Sequence, residues 1–174
     1  MINKLKKINF LYLFVIFLLQ FIGFTALYSA GGGNLDPWAL KHLTRFGILF
    51  IMLFVIILID LKMFYKYAYL IFLLSLFFLG SVEIAGTFGF GAKRWIRIFG
   101  VSLQPSELVK VTLILFLARY YHDLNYNRLK KIFPHFIPIF FIIIPFILIL
   151  TQPDLGTAVT VLILGILILF QVGL

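Results

Sequence analysis

Residues 132–150 read IFPHFIPIFFIIIPFILIL. The stretch holds no Lys, Arg, Asp or Glu, and its apolar side chains surround the whole helical circumference instead of forming one stripe. Such a helix has no face to give to water, so a span of a membrane is predicted here. Pro134, Pro138 and Pro145 fit that environment, where neighbouring helices re-satisfy the backbone groups that proline frees and a bent helix can wall a cavity.

The rest of the chain reads the same way. Of 174 residues, 63% are hydrophobic and 12% charged, with a mean hydropathy of +1.14, which places the protein in the membrane class. Six apolar segments are predicted, over 8–30, 46–60, 67–82, 105–121, 132–150 and 155–174. Several fall short of the roughly 20 residues a span needs, and flanking Lys, Arg, Tyr and Trp extend them by snorkelling and interfacial anchoring. The fold class expected is all-α, a polytopic transmembrane helix bundle, with residues 1–174 as one membrane domain. The connections 31–45, 83–104 and 122–131 read as loops, not globular units. Lys4, Lys6 and Lys7 precede an apolar stretch too long for a signal peptide and without a cleavage site, so a retained first span is expected.

There are no cysteines, which excludes disulfides, thiolate catalysis and thiolate metal sites. The net charge of +9 reads first as a topology signal and not as nucleic-acid binding. With a cytoplasmic N-terminus, nine of the fifteen cations lie inside: Lys4, Lys6, Lys7, Lys62, Lys66, Arg119, Arg128, Lys130 and Lys131. Lys93, Arg94 and Arg97 then lie outside, against the trend, which marks residues 83–104 as an outer segment with a further role. Asp36, His42, Asp60, Glu83, Asp123 and His135 read as loop or interface residues.

Three constellations carry candidate chemistry. Glu107 and Lys110, spaced i, i+3, share one face of the fourth span; they are either a structural ion pair or a polar pair facing substrate, and both readings turn them inward. Gly91-Ala92-Lys93-Arg94-Trp95-Ile96 combines flexible backbone, adjacent cations and an indole. These suit a phosphate headgroup, although composition alone favours an interfacial anchor on anionic lipid. Gln104-Pro105-Ser106-Glu107 and Gln152-Pro153-Asp154 each set Gln-Pro and then an acid at the start of a span, as helix starts do. Asp154 either caps the sixth span, the favoured role, or approaches the Lys93–Arg94 segment across the bundle.

Gly91-Ala92-Lys93-Arg94-Trp95-Ile96, then Leu103-Gln104-Pro105-Ser106-Glu107-Leu108-Val109-Lys110, Leu117-Ala118-Arg119-Tyr120 and Gln152-Pro153-Asp154-Leu155-Gly156-Thr157-Ala158 together resemble the SEDS family of shape, elongation, division and sporulation proteins. Leu155 resembles the rod-shape branch, RodA, more than the division branch, FtsW. The resemblance implies a peptidoglycan glycosyltransferase of cell elongation in the bacterial cytoplasmic membrane. It would polymerise lipid II, an undecaprenyl-pyrophosphate-linked precursor, beside a class B penicillin-binding protein and membrane lipids. It also implies that Lys93, Arg94 and Trp95 border an outward cavity as lipid-pyrophosphate contacts, that Glu107 and Lys110 line its wall, and that Gln104, Ser106, Gln152 and Asp154 lie at its rim or at helix starts. The resemblance covers about the front half of a family member. The later loop that carries the family's essential aspartate has no counterpart here, so the chain reads as a fragment or a truncated product that would not polymerise glycan alone. A flippase for lipid-linked precursors and a non-catalytic scaffold for cell-wall enzymes are the alternatives. Glycosyl transfer needs a carboxylate base and cations or a divalent metal at the departing pyrophosphate; these residues specify no metal.

Overall fold

A computed structural model describes residues 9–89, 92–98, 101–125 and 129–173. Lys4, Lys6, Lys7, Gly91 and Arg128 lie outside them. The chain divides into two compact units, Met1–Leu61 and Lys62–Leu174.

The first unit is a helical hairpin of α1 (Phe10–Ala30) and α2 (Trp38–Leu58). Asn9 begins α1 by accepting the Leu11 N–H on its Oδ1 at 2.9 Å, satisfying one of the free donors of the first turn. The turn that ends it runs through Gly32 and Gly33 at φ +66° and +84°, backbone that suits glycine. Phe17 packs edge-on against Phe46 and Phe50, with ring centroids 5.5 and 5.1 Å apart. α2 starts eight residues before the predicted position. Lys41 and Arg45 interrupt the hydropathy, but helical hydrogen bonding is internal to the backbone and continues beneath cations that snorkel.

The second unit packs α3 (Leu61–Ala85), α4 (Pro105–His122), α5 (Phe136–Thr151, preceded by a 3-10 turn at Phe133–His135) and α6 (Leu155–Val172). Its core joins Phe72 and Leu79 of α3, Val109, Leu113, Phe116 and Leu117 of α4, Ile142 and Ile149 of α5, and Ala158 and Val161 of α6. The α4 positions recur at i, i+4, i+7 and i+8, one helix face turned to the core. Phe116 is the hub, with its ring centroid 4.7 Å from Phe72 and 4.8 Å from Phe141. Helices α5 and α6 pack closely at Gly165, where a Cβ would lie 2.7 Å from three side-chain carbons of Ile142. A small residue here lets two helices approach in a setting without hydrophobic drive between them.

Among the described residues, five helical segments are long and apolar enough to cross a membrane: α1, α2, α3, residues 133–151 and α6. Helix α4 falls outside that set because it carries Glu107, Lys110 and Arg119, yet it supplies much of the core.

The helical class holds, and the connection between α3 and α4 adds what its polar sequence did not announce. Helix α3 continues to Ala85, and the residues after it form a three-stranded antiparallel meander, β1 (Thr87–Gly89), β2 (Ala92–Ile98) and β3 (Val101–Leu103), ordered β1-β2-β3. Thr87 faces Trp95 across one ladder, and Arg97 faces Ser102 across the other. The strands are short and Gly-flanked, so they carry little of the period-2 hydrophobic pattern by which strands are recognised.

Candidate functional site

The meander matters because of where it places the side chains of β2. The β1–β2 register shifts at Arg94, so Lys93, opposite Phe88, and Trp95, opposite Thr87, fall on opposite faces of the ladder with Arg94 between them. Arg94 reaches the turn between α5 and α6. Its Nε donates to the Gln152 carbonyl at 3.2 Å, its Nη2 donates to the Pro153 carbonyl, and its Nη1 lies 3.9 Å from Asp154 Oδ1. Each guanidinium nitrogen therefore meets one consecutive residue of Gln152-Pro153-Asp154, a fork that an ammonium cannot reproduce.

Asp154 is the centre of this latch. Its carboxylate caps α6, accepting the Thr157 N–H at 3.3 Å and the Thr157 hydroxyl at 2.9 Å. It also accepts the Gln104 side-chain amide at 3.3 Å, which ties the start of α6 to the start of α4. The two predicted roles of Asp154, cap and partner of the Lys93–Arg94 segment, are held at once, with its side chain only 14% exposed. Gln152 is buried and donates from Nε2 to the Leu79 carbonyl at 3.0 Å, adding α3. The two Gln-Pro repeats thus bring three helix ends, the body of α3 and one strand together. Ser106 is buried in the first turn of α4.

Glu107 and Lys110 form the predicted pair, with Nζ 2.8 Å from Oε1. Within the second unit the two differ in exposure. The Glu107 side chain is 56% exposed and that of Lys110 21%, because Glu107 and Val111 lie on the α4 face opposite Val109, Leu113 and Phe116. Lys93 and Trp95 are half-buried.

Several contributors escaped the sequence reading. The Thr151 hydroxyl donates to Glu83 Oε1 at 2.8 Å, so Glu83 joins the latch from the last turn of α3. A buried Ser75–Thr112 hydroxyl contact at 2.6 Å pins α3 to α4 midway along. At the other end of the unit, Arg119 donates to the Lys66 carbonyl at 2.6 Å, pairs with Asp123 at 3.7 Å and lies over the Tyr69 ring at 4.2 Å. His135, expected in a loop or interface, is buried between the Tyr121 hydroxyl at 3.1 Å and the Leu129 carbonyl at 2.9 Å. A carbonyl only accepts, so Nε2 bears the proton and Nδ1 accepts from Tyr121. An acid near a predicted span end could have flagged Glu83; nothing local distinguishes Ser75 or Thr112.

Among the described residues no three of His, Asp and Glu come together as a metal-binding group, and the Asp154 carboxylate is engaged by Arg94, Gln104 and Thr157. This donor set does not fit a divalent metal.

Five apolar helical segments of spanning length among the described residues define a multi-pass integral membrane protein. A family model described as cell cycle protein, covering FtsW, RodA and SpoVE, matches residues 8–174. The chain belongs to this family, the SEDS proteins. It is 39% identical over 118 residues to a probable peptidoglycan glycosyltransferase FtsW of Geobacter sp. (strain M18), covering 66% of this chain and 32% of the relative. It is 32% identical over 145 residues to the peptidoglycan glycosyltransferase MrdB of Helicobacter pylori, covering 78% and 36%. Among solved structures, rod shape determining protein RodA of Thermus thermophilus aligns with a TM-score of 0.82 at 24% identity, covering 97% of this chain and 55% of that one. A peptidoglycan synthase complex that coordinates polymerization and crosslinking aligns with the same TM-score at 25% identity, covering 96% and 48%. The chain thus spans about a third of these curated relatives and about half of the solved chains. Relatives bearing FtsW and MrdB names both match, so Leu155 does not assign the branch.

Proposed function

We propose that this chain forms part of a peptidoglycan glycosyltransferase that polymerises lipid II at the outer face of the bacterial cytoplasmic membrane, with its N-terminus in the cytoplasm. The observation that carries the reading is the latch, three guanidinium nitrogens of Arg94 on three consecutive residues between α5 and α6, in a chain whose relatives bear that activity in their names. In the reaction a hydroxyl of the acceptor sugar forms a bond to the anomeric carbon of the donor. The bond from that carbon to the lipid pyrophosphate breaks, the hydroxyl proton passes to a base, and negative charge gathers on the departing pyrophosphate.

This chain's residues serve the pyrophosphate side of that step. Lys93, with Trp95 two residues on along β2, meets the lipid-linked phosphate at the membrane surface, and Arg94 is a positioning residue that holds β2 in place through the α5–α6 turn. The base comes from elsewhere in the protein. A class B penicillin-binding protein is the partner, as the complex that coordinates polymerization with crosslinking suggests.

The test uses full-length protein with lipid II in detergent. Lys93→Gln should lower glycan formation at limiting substrate with normal abundance, and the loss should shrink as lipid II is raised. Translocation of lipid II across vesicles without glycan in detergent would replace the polymerase reading with the flippase one.

A further inference from the structure

The helical hairpin of the first unit carries a polar group that the latch and the polymerase reading leave unused. Gln20 of α1 and His42 and Arg45 of α2 line one cavity of about 310 Å³. His42 and Arg45 are three residues apart and share a helix face. Gly23 stands against His42; a Cβ there would come within 3.3 Å of Nε2, so glycine lets the imidazole lie on α1. His42 Nε2 is shielded and has no hydrogen-bond partner among the described residues. Arg45 likewise makes no ion pair there. The acids of this unit, Asp36 and Asp60, lie beyond the two ends of α2, about 13 and 22 Å along the chain axis from Arg45 at 1.5 Å per residue.

The rest of the cavity is apolar. Ile16, Phe50 and Leu53 line it, and Leu53 lies about 12 Å along α2 from Arg45. A second groove of about 360 Å³ shares Gln20 and His42 and is otherwise lined by apolar residues, including Phe21 and Leu43. Trp38 opens α2, and an indole belongs at headgroup level. Arg45, about 10 Å further on, therefore lies where headgroup gives way to hydrocarbon, a depth at which an unpaired cation needs a counter-charge. A donor cluster at the top and an apolar slot below it match an amphiphile with an anionic head.

We propose that this groove is a specific site for an anionic phospholipid. Its phosphodiester accepts from Arg45 and from the Gln20 amide beside the His42 ring, and one acyl chain runs past Ile16, Phe50 and Leu53. Charge-assisted bonds from a guanidinium fork suit a phosphate, and the apolar slot distinguishes a lipid from a free anion. This site is separate from the proposed pyrophosphate contacts at Lys93 and does not depend on them.

The test is native mass spectrometry of full-length protein, delipidated in mild detergent and titrated with phosphatidylglycerol, with phosphatidylcholine of the same acyl chains, and with inorganic phosphate. Wild type should retain phosphatidylglycerol in preference to both. Arg45→Gln should weaken that retention about fivefold, the worth of one basic residue near an anionic surface, and His42→Phe should weaken it less. Lys41→Gln, on the same helix but outside the groove, should leave it unchanged. Should Arg45→Gln not be recovered, Leu53→Trp keeps every charge, fills the slot and should lower retention by the same readout. Equal retention of phosphatidylglycerol and phosphatidylcholine, indifference to Arg45→Gln and Leu53→Trp, or equally tight binding of inorganic phosphate would each overturn the site.

Discussion

Replacing Arg94 tests whether the meander is held or merely rests on the helix ends. The side chain makes two hydrogen bonds to main-chain carbonyls and one ion pair at 3.9 Å. Hydrogen bonds involving charged groups contribute about 1.5–3 kcal/mol each. The side chain is 28% exposed, so water replaces part of what is lost and the lower end applies. Arg94→Lys retains the charge but cannot place three donors on three consecutive residues, and a loss of about 1–2 kcal/mol, a factor of about 5–30 in the opening equilibrium, is expected. Amide hydrogen exchange reads that equilibrium locally. The Thr157 amide is bonded to Asp154 Oδ1 and the Ala158 amide to the Asp154 carbonyl, so both should exchange faster by that factor in Arg94→Lys and faster again in Arg94→Ala. Amides in the middle of α4 should not change. If Arg94→Ala left Thr157 and Ala158 protected as in wild type, the latch would carry no energy and Arg94 would return to the role of a direct phosphate contact.

Gly165→Ala should lower the unfolding midpoint by overpacking against Ile142, a cost of about 1–3 kcal/mol, and Ile142→Ala in the same chain should recover part of it; an unchanged midpoint in Gly165→Ala would mean the helices separate freely. Glu107→Ala and Lys110→Ala should each reduce abundance or activity in the full-length protein, with the double change no worse than the poorer single, since one partner alone leaves an uncompensated charge; additive losses would show that the two act separately. The proposed topology is read with cysteines in this Cys-free background: Ser102→Cys on β3 should react with an impermeant thiol reagent added to spheroplasts and Asn125→Cys should not, and the reverse pattern would invert the orientation.

What the amino-acid sequence determined by itself is the membrane helix bundle and the family. Both are local or additive properties. An uncharged segment such as residues 132–150 must satisfy its backbone internally whatever surrounds it, and motifs such as Gln104–Lys110 and Gln152–Ala158 keep their spacing before the chain folds. The latch was half legible: the repeated Gln-Pro-acid pattern singled out Gln104, Gln152 and Asp154, and nothing in it specified that one carboxylate would cap α6 while joining Arg94 and Gln104. Only the tertiary structure decided which face Glu107 presents, because an i, i+3 spacing pairs two residues without saying what lies opposite them. It also decided where Arg94 reaches, which its neighbour Lys93, alike in charge, could not indicate. Arg94 stands at the register shift between β1 and β2 and reaches the α5–α6 turn, and that shift exists only once β2 has found β1. Distant partners such as Ser75 and Thr112, or Gly23 and His42, are chosen by helix packing, a sum over side chains far apart in the chain that no short stretch contains.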